Sequence, residues 1–169
     1  MYRGNFNNRL RIGVVYTDGA CIRNGQPGAS AGWGYFWPKS GIEDHGHLPG
    51  IQQTNNRAEL FAVYKALQSA HDQEHRLDKV IIRTDSDLLV KTMTIYINKW
   101  KNNNWKRYDG KPVKNRDVVE LIDSLESNFQ EVVYEHVPAH NGVHGNERAD
   151  FLAKQGARMS DFSDSDDSY

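Results

Sequence analysis

The hydrophobic period of the chain changes at Thr54-Asn55-Asn56, and no other feature limits the available folds as much. Before that point, β-branched and aromatic runs alternate with turn residues. Ile12-Gly13-Val14-Val15-Tyr16, then Ala31-Gly32-Trp33-Gly34-Tyr35-Phe36-Trp37, then a weaker run over 42–48 are separated by Gly25, Pro27 and Gly28 and by Pro38 and Gly41. Three strands in an antiparallel meander are predicted. After it, from Arg57 to about Gln73, Leu60, Val63, Tyr64 and Leu67 recur at helical spacing, flanked by Ala62, Ala66 and Ala70.

Strands and helices then alternate. Residues 80–86 read as a strand, followed by a helix with Leu88, Leu89, Thr92, Ile95 and Tyr96 on one side. Asn115 is placed to cap a helix carrying Val118, Leu121, Ile122, Leu125 and Phe129. Residues 132–137 form the last strand, and a closing helix starts near Asn146 with Ala149, Leu152 and Ala153 inward. The prediction is an α/β fold: a five-stranded mixed sheet, three antiparallel strands then two parallel, with helices on both faces. In open sheets of this kind the reactive groups lie beyond the strand ends.

Two of the strands run into a Thr-Asp pair, Thr17-Asp18 and Thr84-Asp85. If those strands pair in parallel, both carboxylates reach the same edge. Asp18 is read at the point where its strand stops, with Gly19 as the residue that turns the chain. Glu59 is placed in the first turn of the first long helix and Asp150 in the first turn of the last. Each acid has a plainer explanation: the macrodipole favours acids at helix N-termini, and Asn56 with Glu59 fits a capping box. Four together are harder to explain that way, because neighbouring buried carboxylates repel and raise one another's pKa unless cations neutralise them. Two magnesium ions balance four carboxylates, and a pair of ions about 3.5 to 4 Å apart suits displacement at phosphorus. Magnesium takes oxygen ligands, which the chain offers, and manganese is the alternative.

The totals exclude other chemistry. Cys21 is the only cysteine among 169 residues, so an intrachain disulfide and a cysteine-rich zinc site are ruled out. The pairs His45/His47 and His71/His75 lack a third ligand nearby. No apolar run approaches membrane-spanning length and no N-terminal export signal is visible, so an intracellular protein is expected; cytoplasm, nucleus and mitochondrion are not distinguished. The net charge of -1 averages two unlike parts. The tail holds Asp161, Asp164, Asp166 and Asp167 with no basic residue and reads as disordered. Taking those four from 22 acidic residues leaves 18, against 21 basic. Most of the excess lies between Lys91 and Arg116, where Lys91, Lys99, Lys101, Lys106, Arg107, Lys111, Lys114 and Arg116 face Asp109 alone, interleaved with Tyr96, Trp100, Trp105 and Tyr108. A basic aromatic ridge suits a nucleic-acid backbone, whereas a solvated helix with core-facing tryptophans is the plainer reading.

Four blocks of the sequence closely resemble the signatures of type 1 ribonuclease H. They are Tyr16-Thr17-Asp18-Gly19-Ala20, Thr54-Asn55-Asn56-Arg57-Ala58-Glu59-Leu60, Thr84-Asp85-Ser86, and Val137-Pro138-Ala139-His140 leading to Gly145-Asn146-Glu147-Arg148-Ala149-Asp150. The resemblance covers about 11–158 in the family order and implies a ribonuclease H-like fold, with 1–10 a lead-in and 159–169 an acidic tail. It implies that Asp18, Glu59, Asp85 and Asp150 bind two Mg2+ ions, with Asp18 shared, and that His140 in a mobile loop assists proton transfer or product departure. It also implies an RNA/DNA hybrid as the partner, a monomer, and hydrolysis of the RNA strand to 3′-hydroxyl and 5′-phosphate ends without strong sequence specificity.

By the same resemblance Asn24, Asn55 and Asn56 touch the 2′-hydroxyl side, and Thr54 and Asn115 belong to a phosphate pocket. Tyr96, Trp100, Lys99, Lys101, Lys106 and Arg107 belong to the segment that grips the DNA strand. The chain departs from the family at Gln52, where an arginine is common, and at Asp87, where a neutral residue is usual. Turn and cap chemistry accounts equally for the three asparagines, and a solvated loop for His140. A DNA nuclease on the same fold and a hybrid-binding protein without activity are the rival functions.

Overall fold

The computed structural model describes residues 9–72, 76–139 and 142–159. His140, His75, most of the lead-in and the acidic tail from Ser160 lie outside them. Five strands, β1 (Ile12–Ile22), β2 (Ser30–Phe36), β3 (Glu43–His47), β4 (Lys79–Thr84) and β5 (Glu131–His136), form one sheet in the order β3-β2-β1-β4-β5. The first three pair antiparallel, whereas β4 pairs parallel with both β1 and β5. The mixed sheet expected from the change of period is the one observed.

The two faces of β2 show why helices can lie on both sides. Trp33 and Tyr35 are buried among core residues of helix α1 (Asn55–Asp72), including Val63, Ala66 and Leu67, and Ala31 packs with Ala58 of the same helix. Gly32 and Gly34 alternate with them and face α5 (His144–Arg158), whose backbone comes so close that a Cβ on Gly32 would sit 2.0 Å from the Ala157 nitrogen. One face therefore packs by large side chains and the other by their absence. The alternation is the period-two pattern of a strand covered on both sides. Helix α4 (Arg116–Glu126) lies against α1. No helix among the described residues is long and apolar enough to cross a membrane.

β1 continues to Ile22 and does not stop at Asp18. Its antiparallel partner keeps bonding there, with Asp18 opposite Gly34 and Gly19 opposite Trp33, while the parallel partner β4 ends at Thr84. Asp18 is thus at an edge on one side only. Gly19 does not turn the chain; a Cβ there would lie 2.3 Å from the Glu59 backbone nitrogen. Its hydrogen lets α1 approach β1 closely enough to bring Glu59 to Asp18.

Helical boundaries also move. α1 begins at Asn55, so Glu59 is beyond its first turn, and the hydroxyl of Thr54 accepts from Arg57 N at 3.3 Å in place of the expected Asn56–Glu59 box. α5 begins at His144, which sets Asp150 beyond the first turn. After β4 the chain forms α2 (Asp87–Lys91), a π-helical turn (Thr92–Tyr96) and α3 (Ile97–Asn102). That wider turn shifts the inward stripe to Leu89, Thr92, Met93 and Ile97 and leaves Leu88 and Ile95 exposed, a change the regular 3.6-residue period does not anticipate. In α4 Val119 is buried while Leu121 is exposed.

Candidate active site

The parallel register of β1 and β4 pairs Tyr16 with Arg83. Counting two residues on from each brings Asp18 and Asp85 to the same height, and α1 delivers Glu59 over Gly19. One carboxylate oxygen from each of Asp18, Glu59 and Asp85 lies within 4.8 Å of the others. Asp18 and Glu59 are 5 % and 8 % exposed, an environment that penalises a charged group strongly. Burial, followed by the charges of Asp85 and Glu59, pushes the Asp18 carboxyl up to about 8, against the opposing hydrogen bond from Gly19. Burial likewise lifts Glu59 to about 7, opposed by hydrogen bonds from Ser86 and Asn55.

The donors around these acids are neutral. Gly19 N donates to Asp18 Oδ1 at 2.8 Å, and Asn55 Nδ2 donates to Glu59 Oε1 at 3.0 Å. Asn146 Nδ2 lies 3.4 Å from Asp85 Oδ2, and the His136 ring contacts the Asp85 carbonyl at 3.2 Å. No basic side chain forms an ion pair with Asp18, Glu59 or Asp85 among the described residues. Three oxygen ligands converging without a cation of their own are what a hard divalent ion takes. Asp150 stands apart from this trio. Its charge is felt at Asp18, but its carboxylate is engaged by Lys154 Nζ at 2.7 Å, one helical turn further on.

Beside the acids run two cavities that share Asn56, Val113, Lys114 and Asn115. The larger, about 1100 Å³, passes Asn24 and Thr54; the smaller, about 270 Å³, reaches Glu59, Tyr96, Trp100 and Arg107. Asn24 Oδ1 accepts from Asn55 N at 3.2 Å, joining the first turn of the chain to the start of α1. Asn115 precedes α4 in the left-handed conformation (φ 59°), which asparagine tolerates, but its side chain makes no cap bond. Its Oδ1 instead accepts from Arg57 Nη1 at 3.3 Å.

The ridge is less positive than its composition implies. Lys91 pairs with Asp87, Lys101 with Asp123, Arg107 with Asp109 and Arg116 with Glu120. Three of those acids lie outside the basic segment, so a linear count misses them. Lys99, Lys106, Lys111 and Lys114 have no ion pair among the described residues. Asp87 is solvent-facing and held by Lys91, so its charge is balanced locally. Tyr96, Trp100 and Trp105 form a run of tilted rings with centroids 5.9 and 6.3 Å apart. Trp105 packs partly on the core, as its plainer reading requires, while Tyr108 is fully exposed.

Residues the sequence did not mark as functional include Asn146 and Lys154. Asn146 sat inside a recognised block without a role; the sign of one is that it is buried, with Oδ1 lacking a partner.

Comparison with known proteins places this geometry in company. The RNase H family model matches residues 11–158. Mouse Ribonuclease H1 is 38% identical over 149 residues, which is 88% of this chain and 51% of the relative. The chain therefore spans about half the length of that mammalian relative. Ribonuclease H of Thiobacillus denitrificans is 41% identical over 144 residues, covering 84% of this chain and 90% of the relative. The crystal structure of RNase H1 from the archaeon Halobacterium salinarum superposes with a TM-score of 0.60 at 28% identity, over 86% of this chain and 96% of that one.

Proposed function

Because the chain belongs to the RNase H family, we propose that it is an endonuclease that hydrolyses the RNA strand of RNA/DNA hybrids, leaving 3′-hydroxyl and 5′-phosphate ends. The observation that carries this reading is the convergence of Asp18, Glu59 and Asp85 at one edge of the sheet with no basic partner. Residues 11–158 are the unit that acts, as an intracellular monomer.

Asp18, Glu59 and Asp85, joined by Asp150, would hold two divalent cations, Mg2+ or, as the alternative, Mn2+. Bound there, such ions supply positive charge that eases deprotonation of water and offsets the charge gathering on phosphate oxygens. The chain's own residues set the geometry. The Gly19 N–H and the Asn55 amide fix the directions of the Asp18 and Glu59 carboxylates. Their depressed acidity leaves them waiting for a cation, since burial disfavours the bare charges. To hold a cation with the other three, Asp150 would give up its contact with Lys154. His140 assists proton transfer or product departure.

The hybrid lies along the cavities. Asn24, Asn55 and Asn56 recognise the 2′-hydroxyl, which separates RNA from DNA at a given strand position. Thr54 and Asn115 hold a phosphate, Tyr96 and Trp100 pack against sugars, and Lys99, Lys101, Lys106 and Arg107 follow the backbone. None of these contacts reads base identity, so cleavage has little sequence preference.

The test is a substrate panel in magnesium: labelled hybrid, duplex DNA, duplex RNA and branched DNA, with end-group analysis of products. Cleavage confined to the RNA strand of the hybrid, with 5′-phosphate ends, supports the reading. Cutting of DNA substrates, or binding of hybrid without cleavage, contradicts it.

A further inference from the structure

The segment between β3 and α1 is held by one side chain. Leu48, the residue after β3, is fully buried in a small cluster with Ala31 and Ala58, and its N–H donates to the Ala31 carbonyl at 2.8 Å. In a regular antiparallel ladder two such residues exchange both bonds, so the Ala31 amide would donate back to the Leu48 carbonyl. Here the carboxamide of Gln53 stands between them. Ala31 N donates to Gln53 Oε1 at 2.8 Å, and Gln53 Nε2 donates to the Leu48 carbonyl at 2.7 Å. The same nitrogen donates to the Gly50 carbonyl, also at 2.7 Å. The half-buried side chain acts as an extra peptide group inserted into the sheet where β3 stops, and three backbone groups beside a buried cluster depend on it for their partners.

This fixed point lies immediately before α1. Gly50 turns the chain at φ 87°, and residues 49–54 then line the larger cavity. The backbone of Gln53 is seated as well, with its carbonyl 3.5 Å from Cys21 Sγ on β1. Two residues on, Asn55 N donates to Asn24 Oδ1, and Asn56 lines both cavities. The height of Asn55 and Asn56 above the sheet is therefore set by how Gln53 ties the chain to β1 and β2. Glu59 is placed separately, one helical turn further on, where α1 rests on Gly19.

We propose that Gln53 is a positioning residue for RNA recognition: its carboxamide replaces a ladder bond between Ala31 and Leu48 and so fixes where Asn55 and Asn56 meet the 2′-hydroxyl side of the hybrid. The proposal rests on the hybrid-cutting reading and names the group that holds its specificity contacts in place.

The test compares Gln53→Glu, Gln53→Met and Ile122→Val. Gln53→Glu keeps the acceptor for Ala31 N but sets a carboxylate against two carbonyls, and Gln53→Met keeps the volume without the bonds. Ile122 is fully buried in α4 and lines neither cavity, so its variant controls for general destabilisation. Affinity for an RNA/DNA hybrid and for duplex DNA of the same sequence is measured in magnesium in an Asp18→Asn background, and kcat and KM for the hybrid with Asp18 restored. Both Gln53 variants should bind the hybrid about five- to ten-fold more weakly, the loss of roughly one hydrogen bond to the substrate, and bind duplex DNA as the parent does. KM should rise by the same factor with kcat within about two-fold, as loss of uniform binding requires. Ile122→Val should match the parent throughout. If circular dichroism shows one Gln53 variant unfolded, the other decides; loss of fold in both makes Gln53 a stability residue and overturns the proposal. An unchanged preference for hybrid, an equal loss on duplex DNA, a fall in kcat at constant KM, or the same change in Ile122→Val also overturns it while leaving the hybrid-cutting reading intact. A parent protein that neither binds the hybrid nor, with Asp18 restored, cleaves it overturns that reading and the proposal with it.

Discussion

Replacing Asp18 by asparagine should make the metal-free protein more stable. Asp18 is 5 % exposed and its carboxyl is raised from 3.8 to about 8, first by burial and then by Asp85 and Glu59. A raised acid pKa means that the folded state keeps a proton the unfolded chain has already released. Wild-type stability therefore falls as pH rises from about 4 to about 8. Four pKa units at about 1.4 kcal/mol each set an upper bound of about 5–6 kcal/mol for that loss. The asparagine keeps an acceptor for Gly19 N and gains an amide that can donate to neighbouring carboxylates. Repulsion between Glu59 and Asp85 persists in the variant, so roughly half the bound, about 2–3 kcal/mol, should be recovered at pH 8. In a chain of this length that corresponds to a rise in Tm of about 5–10 °C. Thermal unfolding followed by circular dichroism in EDTA, at intervals from pH 4 to 8.5, reads this directly. The advantage should be greatest at pH 8, shrink as pH falls and vanish near pH 4. Adding magnesium at pH 8 should stabilise wild type more than the variant and narrow the gap. A variant no more stable than wild type at pH 8, or an advantage that ignores pH, would refute the reasoning.

Other perturbations test neighbouring parts of the account. Gly19→Ala puts a Cβ 2.3 Å from the Glu59 nitrogen, so α1 must move; chemical denaturation should show a loss of about 3 kcal/mol, and activity should fall with it. Lys154→Met releases Asp150 from its 2.7 Å ion pair, and calorimetric titration should then find Mg2+ bound several-fold tighter; equal affinity would argue that Asp150 takes no part. On the ridge, Lys99→Ala and Lys106→Ala should each flatten the salt dependence of hybrid binding by about one unit of slope, because neither lysine is paired. Lys101→Ala, whose ammonium already serves Asp123, should change it less.

Much of this was legible because strand ends and helix periods are local properties. The repeated Thr-Asp at the ends of two apolar runs was enough to anticipate that parallel pairing would bring Asp18 and Asp85 together. What stayed hidden depended on partners distant in sequence. Gly19 looks like a turn residue until α1 is seen lying on it. The ridge looks strongly basic until Asp87, Glu120 and Asp123, all beyond its ends in sequence, are seen to pair with three of its eight cations. The π-helical turn at Thr92–Tyr96 breaks the 3.6-residue repeat and so misassigned Leu88 and Ile95 to the inner face. Asp150 carries the clearest lesson. Its place in a signature block suggested a fourth member of the acidic group; the oxygens of the other three meet without it and its carboxylate rests on Lys154, while its charge still reaches Asp18.

The claim at the centre is that the acidic trio is a catalytic centre and not a buried structural defect. Its most direct test is cleavage of a labelled RNA/DNA hybrid in magnesium by wild type and by Asp18→Asn, with circular dichroism establishing that both are folded. RNA-strand cleavage by wild type, and a loss of about a thousand-fold or more in a variant that is the more stable of the two without metal, is the predicted result. Cleavage undiminished in Asp18→Asn would contradict the account.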